Sequence, residues 1–330
     1  MRRFLTFDDV GLVPAFNNIK SRLEAQLHIK LGADMFKTPF IPANMESVIG
    51  TNLAKICKDR GAPIIFHRFG PINDQINWLK EFPDAYLSVG VKTDINILYK
   101  EGCRRFCIDV AHGHSQNVLD LIKIIKELDK TNQIIAGNVC TYDGVIDLGR
   151  AGADIIKIGV GPGAACITRM MTGFGIPQFS AIKECHRAKL LLWRNDINVY
   201  LIADGGIKHP RDAVLALAAG ADAVMMGSIF ARTFESAAPK HMIEDMMYGR
   251  YRGQASTEFM DEYSLSKRQA EGVAFDVEIN KSANDIFDEY EGGLRSALTY
   301  CGTNNIIDFK NTVEIFESTE NYMKESNYRK

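Results

Sequence analysis

Hydrophobic and polar positions repeat along the chain in eight similar units. Each unit contains a short apolar segment that ends in small or polar residues, and these segments are residues 39–43, 63–66, 86–89, 105–108, 133–136, 155–158, 199–203 and 223–226. Most of the intervals between them have the apolar spacing of amphipathic helices, for example 115–128, 143–151 and 210–219. Continuously apolar strands that alternate with amphipathic helices are typical of a parallel sheet covered on both faces.

The positions of the polar residues favour a closed barrel. Asparagines, aspartates, histidines and glycines follow directly after the strands, at residues 44–45, 67–68, 109, 137–138, 159–168, 204–206 and 227–228. In a (β/α)8 barrel these positions converge on the C-terminal face, where the chemistry takes place. We therefore predict an α/β chain that forms a single (β/α)8 TIM barrel domain over residues 1–330. An open doubly wound sheet is the alternative, because periodicity alone does not close the ring.

The pattern becomes looser after the eighth strand. Residues 248–271 are polar and lack a clear period, and a long structureless segment in a compact domain is usually functional. We predict a mobile active-site flap at about 248–272 and a C-terminal extension at about 273–330. The extension is expected to contain a strand at 274–279, a helix at 285–300 and an irregular tail after residue 317.

Composition and charge exclude several classes of protein. With 46% hydrophobic and 24% charged residues, the chain can bury a large core. A net charge of -2 argues against general binding to nucleic acid or to a membrane surface. The chain contains no apolar run long enough to span a bilayer or to form a signal peptide. Seven cysteines without a metal-binding spacing indicate free thiols in a reducing compartment, so we expect a cytoplasmic protein.

The segment after the sixth strand is the strongest chemical signal. Three glycines and one proline occupy residues 159–163, which forces a tight path and leaves backbone N–H and C=O groups bare. The loop then presents Cys166, followed by Thr168 and Arg169. An arbitrary cysteine is usually a buried structural residue, but at this position we interpret Cys166 as a nucleophile.

The seventh and eighth strands end in glycine-containing turns. Asp204, Gly205 and Gly206 follow the seventh strand, and Gly227 and Ser228 follow the eighth. Barrels commonly bind phosphate at these two strand ends through backbone amides and a hydroxyl. A carboxylate such as that of Asp204 would repel phosphate but can accept two hydrogen bonds from a ribose diol.

Several motifs in order along the chain carry a family resemblance. They are the stretches at residues 5–10 (LTFDDV), 41–45 (IPANM), 108–115 (IDVAHGHS), 136–139 (AGNV), 159–169 (GVGPGAACITR), 172–175 (TGFG), 203–207 (ADGGI), 251–253 (YRG) and 271–272 (EG). Together they resemble the IMP dehydrogenase/GMP reductase family over nearly the whole chain.

Two features resemble the reductases of this family rather than its dehydrogenases. Dehydrogenases usually carry a pair of CBS modules near the second and third barrel units, and residues 69–86 are too few to hold them. They also carry an adjacent Arg-Tyr pair on the flap. Here Arg250-Tyr251 directly precedes Arg252-Gly253, and so corresponds to the phosphate-binding stretch before the flap.

The resemblance implies a reaction and a set of catalytic residues. It implies that Cys166 attacks C2 of GMP, that ammonia leaves, and that the thioimidate intermediate accepts a hydride from NADPH to give IMP. Because an amino group is a poor leaving group, it must be protonated as it departs. Thr168 and Glu271 match the residues that carry this proton.

The resemblance also implies binding residues. The expected nucleotide ligands are Asp204, Gly205, Gly206, Gly227, Ser228, Tyr251, Gly253, Gln254, Ser256 and Arg268. The expected cofactor ligands are His67, Arg68 and Asp109, and the carbonyls of Gly161, Gly163 and Cys166 match a potassium-binding loop. A homotetramer is also implied. One departure is Ala164, because many members of the family have at this position a serine that binds phosphate.

Two other functions stay open at this point. The first is an IMP dehydrogenase without CBS modules, which would convert IMP to XMP with NAD. The second is a purine-nucleotide-binding protein without catalytic activity. The presence of Cys166, Thr168 and Glu271 together argues against the second.

Overall fold

Eight parallel strands form the centre of the computed structural model, which describes residues 2–263, 269–319 and 321–326. The strands are β1 (Phe40–Pro42), β2 (Ile65–Phe66), β3 (Tyr86–Val89), β4 (Arg105–Asp109), β5 (Gln133–Val139), β6 (Ile155–Ile158), β7 (Tyr200–Asp204) and β8 (Ala223–Met226). Every predicted strand is present. Strand β5 runs three residues further than predicted, past a register irregularity between Gly137 and Val139.

The strands follow each other around a ring in the order β1-β8-β7-β6-β5-β4-β3-β2. Strands β1 and β2, consecutive in the chain, therefore lie at the two ends of this order. Inside the ring, the Asn44 side chain just beyond β1 donates to the Ser88 hydroxyl of β3 at 2.9 Å. The architecture is the predicted (β/α)8 barrel and not the open doubly wound sheet.

Eight helices surround the strands, one after each. They are α1 (Thr51–Arg60), α2 (Ile72–Glu81), α3 (Ile95–Lys100), α4 (Gln116–Leu128), α5 (Tyr142–Ala151), α6 (Gln178–Trp193), α7 (Pro210–Ala218) and α8 (Ala283–Tyr300). In α4, the buried Val118, Leu121, Ile122 and Ile125 have the i, i+3, i+4, i+7 spacing of a single helix face. Helix α8 contacts both α7 and α1, which completes the outer ring.

The first part of the predicted flap is ordered sheet, so the prediction of a structureless segment there is wrong. Met246–Arg252 forms a strand that pairs antiparallel with both Lys240–Ile243 and Ala274–Glu278. A short helix, Thr257–Glu262, follows it. In this partly buried strand, Gly249, Arg250 and Arg252 interrupt the apolar residues, so it lacks the continuous apolar run of the barrel strands.

The remaining elements lie outside the barrel. Val10–Val13 pairs with Glu314–Glu317, and Ile29–Leu31 pairs with Asp34–Phe36. Short helices are Phe7–Asp9, Arg22–Glu24, Thr168–Thr172, Ser228–Ala231, Ile306–Thr312 and Asn321–Glu325. The last of these lies in the tail after residue 317. None of the helices described is long and apolar enough to cross a membrane.

Candidate active site

A cavity of about 970 Å3 opens at the C-terminal ends of the barrel strands. Its lining comes from the loops after most of the strands and from the segment that connects Met246–Arg252 to Ala274–Glu278. The thiol of Cys166, the hydroxyl of Thr168 and the carboxylate of Glu271 all line it. The polar residues that follow the strands in sequence therefore meet in one place, as the barrel prediction requires.

Cys166, Thr168 and Glu271 form a continuous chain of hydrogen bonds. The Cys166 thiol donates to the Thr168 hydroxyl, with 3.2 Å between Sγ and Oγ1. The same hydroxyl donates to Glu271 Oε2 at 2.9 Å. A proton can therefore move between the sulfur and a carboxylate that is 105 residues distant in sequence (271 minus 166).

Backbone bonds hold the two segments of this chain together. Ile167 N donates to Glu271 O at 2.8 Å, and Val273 N donates to Ala165 O at 2.9 Å. On its other side, Glu271 N donates to Ala255 O at 3.1 Å. The cysteine loop and both ends of the flap thus share one small hydrogen-bonded lattice, which fixes the carboxylate beside the hydroxyl.

Arg169 stabilises the loop and makes its hydrogen bond away from the thiol. Its guanidinium donates to the Ile176 carbonyl at 2.6 Å. Its side chain also passes so close to Gly161 and Gly175 that a Cβ at either position would lie 2.6–2.8 Å from Arg169 Cγ. Both glycines have positive φ, so the turn around this arginine requires glycine.

A buried ion cluster at the floor of the cavity is the main feature that sequence reasoning missed. Lys157 Nζ donates to Asp109 Oδ1 at 2.8 Å and to Asp204 Oδ2 at 2.9 Å. Asn138 donates to the same oxygen of Asp204 at 2.9 Å. These side chains come from β4, β5, β6 and β7, so the cluster forms only when the ring has closed.

The electrostatics of the cluster favour the charged forms of Lys157 and Asp109. Burial alone would raise the pKa of Asp109, but the Lys157 ammonium outweighs it and holds this pKa below its ordinary value. Burial alone would likewise lower the pKa of Lys157, but Asp109 and Asp204 together hold it above its ordinary value. Both carboxylates share a single buried cation.

Five of the expected nucleotide ligands line the cavity, namely Asp204, Gly205, Tyr251, Gly253 and Gln254. The Tyr251 side chain is buried, and its hydroxyl donates to the sulfur of Met45 at 3.4 Å. A Cβ on Gly227 would lie 2.5 Å from the same hydroxyl. Glycine at position 227 is therefore needed to admit the tyrosine.

The other expected nucleotide ligands have different positions. Gly206, Gly227 and Ser228 lie at the predicted strand ends but do not contribute to the cavity lining. Ser256 is buried, and its hydroxyl accepts from Phe259 N as the N-cap of the helix Thr257–Glu262. Arg268 lies outside the described residues.

Of the three expected cofactor ligands, two line the cavity and one does not. Arg68 and Asp109 line the cavity, and Arg68 stacks on the Phe69 ring with 4.5 Å between Cζ and the ring centroid. His67 is buried below them against Trp78, and its Nδ1 accepts from Phe69 N at 3.2 Å. Burial lowers the pKa of His67 to about 4, so its ring is neutral near pH 7.

The flap helix Thr257–Glu262 is attached to the barrel by two contacts. Phe259 packs edge-on against Phe69 with 4.5 Å between ring centroids. The buried Arg252 donates to Glu46 at 2.7 Å and also to Glu262 at the end of the helix. These contacts place Met260 of the helix over the cavity.

The loop proposed to bind a cation has free carbonyl groups. Gly163 O accepts from Cys166 N at 3.0 Å, which closes a tight turn. The described residues donate no hydrogen bond to the carbonyls of Gly161 and Cys166. Unpaired carbonyl oxygens are ligands that hard cations prefer, so the loop fits an alkali ion.

Comparisons with known proteins identify the family of this chain. A family model described as "IMP dehydrogenase / GMP reductase domain" matches residues 4–329. A protein named GMP reductase from Lactobacillus gasseri is 39% identical over 308 residues, which cover 90% of this chain and 89% of the relative. Proteins with the same name from Clostridium acetobutylicum and Bacillus licheniformis are 35% and 34% identical, and the matches cover 92% and 94% of this chain and 92% and 95% of the relatives.

The family model spans almost the entire barrel together with the cysteine loop and the flap. The identities exceed a third of the aligned residues over nearly the full length of both chains. These matches cover every element that contributes to the cavity. The chain belongs to the IMP dehydrogenase/GMP reductase family.

Proposed function

We propose that this chain is a GMP reductase, which uses NADPH to convert GMP into IMP and ammonia through a covalent bond to Cys166. The observation that carries the proposal is the hydrogen-bond chain from the Cys166 thiol through the Thr168 hydroxyl to the Glu271 carboxylate. It offers a nucleophile with a proton path, which the departure of an amino group needs. The names of the relatives support the same reaction.

In the first step the thiol proton passes through Thr168 to Glu271, and the sulfur forms a bond to C2 of the purine. The proton then returns through Thr168 to the 2-amino nitrogen. The C2–N bond breaks, ammonia leaves, and a thioimidate links C2 to Cys166. One proton is thus moved to the carboxylate and back, and the redox state of the purine is unchanged.

When bound, NADPH would supply a hydride to C2. The C2–S bond would then break, the sulfur would keep the electron pair and take up a solvent proton, and IMP would be released. In this step the chain's role is to exclude water, because hydrolysis of the thioimidate would give XMP instead. The Phe259–Phe69 contact and the backbone bonds of Glu271 hold the flap over the cavity for this purpose.

For the nucleotide, we propose that Asp204 accepts from the ribose and that backbone amides near Gly205 and Gly253 hold the phosphate with Tyr251. Gly206, Gly227 and Ser228 stay candidates for the phosphate because they follow β7 and β8 directly. The exposed Ala164 offers no hydroxyl, and a missing hydrogen bond of this kind weakens binding by about 1 kcal/mol.

For NADPH, we propose that Arg68 and Asp109 make the contacts and that His67 supports them from below. Arg68 Nε is buried and has no partner within the described ranges, which suits an anionic ligand. Potassium at the carbonyls of Gly161, Gly163 and Cys166 stays part of the proposal. The homotetramer and the cytoplasmic location are predictions, the first of which light scattering on the purified protein can test.

The decisive experiment follows NADPH absorbance in the presence of GMP. We expect GMP-dependent oxidation of NADPH with equimolar release of ammonia. Cys166→Ala should abolish turnover, because the covalent bond cannot form. Cys140→Ala is the matched control, since Cys140 is a partly exposed thiol outside the cavity and its loss should leave the rate unchanged.

Other outcomes would decide against the proposal. Reduction of NAD with IMP, and no oxidation of NADPH with GMP, would identify a dehydrogenase without CBS modules. Tight binding of GMP and IMP with no turnover in either assay would identify a binding protein. Equal rates for wild type and Cys166→Ala would refute the role of the thiol while leaving the reaction in place.

A further inference from the structure

Lys157 is a buried cation that the proposed reaction does not use. Its side chain is only 4% exposed and lies on β6, one residue before the strand ends. Its ammonium contacts Asp109 on one side and Asp204 on the other, at 2.8 and 2.9 Å. Asn44 Oδ1 accepts a longer bond at 3.4 Å. All hydrogens of the ammonium therefore point at oxygens on the cavity floor.

The two carboxylates have different neighbours. Asp204 is followed by the glycine turn after β7, and Asp109 lies near Arg68. In Asp204 both protein contacts are made to Oδ2, from Lys157 and Asn138. Within the described residues Oδ1 accepts no hydrogen bond, so it is available to a ligand hydroxyl.

We propose that Lys157 is a positioning residue that orients Asp204 towards the ribose of the nucleotide and Asp109 towards the cofactor. This rests on the proposed function, because it assumes that those two ligands occupy the cavity. A single ammonium between the two carboxylates holds each of them in one rotamer. Each carboxylate can then still accept hydrogen bonds from hydroxyl groups of a ligand. The binding of the two ligands thereby depends on one side chain.

Removing the ammonium would change the charge of the floor. Two carboxylates would then face each other in a buried site, where burial and mutual repulsion both favour protonation of one of them. A protonated carboxyl group carries an O–H donor and is a weaker acceptor than a carboxylate, so it binds the hydroxyls of a ribose diol less tightly. Lys157→Met, which keeps the length of the side chain, should therefore weaken binding most at low pH.

The test measures equilibrium binding of GMP, without cofactor, and of NADPH, without nucleotide. For Lys157→Met we expect the Kd of each ligand to rise about tenfold at neutral pH, equivalent to about 1.4 kcal/mol. The ratio of variant to wild-type Kd for GMP should increase further as the pH falls towards about 5. Taking the ratio cancels the titration of the GMP phosphate itself.

A matched control separates this role from a loss of stability. Lys189 on α6 is equally buried, with 2% of its side chain exposed, but it contacts Asp222 far from the cavity. Lys189→Met should leave both Kd values unchanged. Lys157→Gln, which keeps an N–H donor without the charge, provides a second variant if Lys157→Met does not fold.

A double-mutant cycle shows whether Lys157 acts through Asp204. In an Asp204→Asn background, Lys157→Met should raise the Kd for GMP by less than about twofold, because the charge it orients is already gone. The same tenfold effect in both backgrounds would overturn the proposal. So would a variant-to-wild-type ratio that is flat with pH.

Failure of this proposal and failure of the proposed function give different results. Wild type that binds GMP and NADPH, together with a Lys157→Met variant that binds them equally well, would overturn the role of Lys157 alone. Wild type that binds neither GMP nor IMP would overturn both.

Discussion

Two clusters of buried lysine and aspartate lie at opposite ends of the barrel, and their charges are inverted. The upper cluster, at the C-terminal ends of the strands, has one lysine, Lys157, between two aspartates. The lower cluster has one aspartate, Asp222, just before β8. It is held by Lys189 at 2.6 Å and by Lys310 at 2.7 Å. The upper cluster therefore has an excess of negative charge, and the lower cluster has an excess of positive charge.

The excess charge determines how each lysine titrates. Burial favours the neutral form of both amines. In the upper cluster two carboxylates overcome burial, so the pKa of Lys157 is raised. In the lower cluster burial dominates, the attraction of Asp222 only partly offsets it, and Lys310 adds repulsion, so the pKa of Lys189 falls to about 8.

The comparison separates a ligand-facing use of buried charge from a structural one. The upper carboxylates line the cavity, where hydroxyl groups of a ligand can complete their hydrogen bonds. The lower cluster is not part of the cavity lining: Lys189 stacks over Trp193 at 4.4 Å, and Asp222 accepts from Leu201 N at 2.8 Å. Through Lys310 it also attaches the helix Ile306–Thr312 to the base of the barrel. Barrels commonly divide in this way, with chemistry at the C-terminal face and stability at the other.

The largest effect is expected for Asp222→Asn, which should remove the centre of the lower cluster. Two ammonium groups would stay buried without a counter-charge, and breaking a buried pair in this way costs about 3–5 kcal/mol of unfolding free energy. Urea unfolding at neutral pH measures the loss. Asp84→Asn is the control, because this side chain is 88% exposed and its removal should change stability by less than about 0.5 kcal/mol.

A smaller loss of stability is expected for Lys157→Met in the upper cluster. Asp109 and Asp204 keep side chains that are 10% and 20% exposed, so they can gain water or a proton when the lysine is removed. We expect a cost of about 1–3 kcal/mol, below that of Asp222→Asn. The order of the two costs, measured in the same urea series, is the test. A reversed order would mean that the upper cluster also has mainly a structural role.

Much of the fold was predictable because its signals are local. Each barrel strand is an apolar segment followed by polar residues. The turns around Cys166 and Asp204 are indicated by their glycines. The strand Met246–Arg252 was missed because it is only partly buried, and a glycine and two arginines interrupt its apolar residues so that no continuous apolar run marks it.

The partners of the charged residues could not be predicted in the same way. Lys157 is 48 residues from Asp109 and 47 from Asp204, and only closure of the ring brings the three together. A polar residue after a strand also has more than one use. Ser256 caps a helix and His67 packs against Trp78, although each occupies a position that resembles a binding residue. Local sequence cannot distinguish these uses, since burial and partners are set by distant segments.

A further expected effect concerns the pH dependence of stability, and it has opposite signs at the two ends of the barrel. Because the folded pKa of Lys189 lies below its unfolded value, the unfolded chain binds more protons between about pH 8 and about 10.5. The contribution of Lys189 to stability should therefore rise with pH across this window. Lys157, whose folded pKa is raised, contributes fully below about 10.5 and should lose its contribution only at higher pH.

Urea unfolding of wild type, Lys189→Met and Lys157→Met over this range isolates each lysine as a difference from wild type. If the difference in unfolding free energy between wild type and Lys189→Met stays constant or falls with pH, Asp222 keeps both lysines charged in the folded chain. The two clusters would then differ in geometry but not in how their lysines titrate.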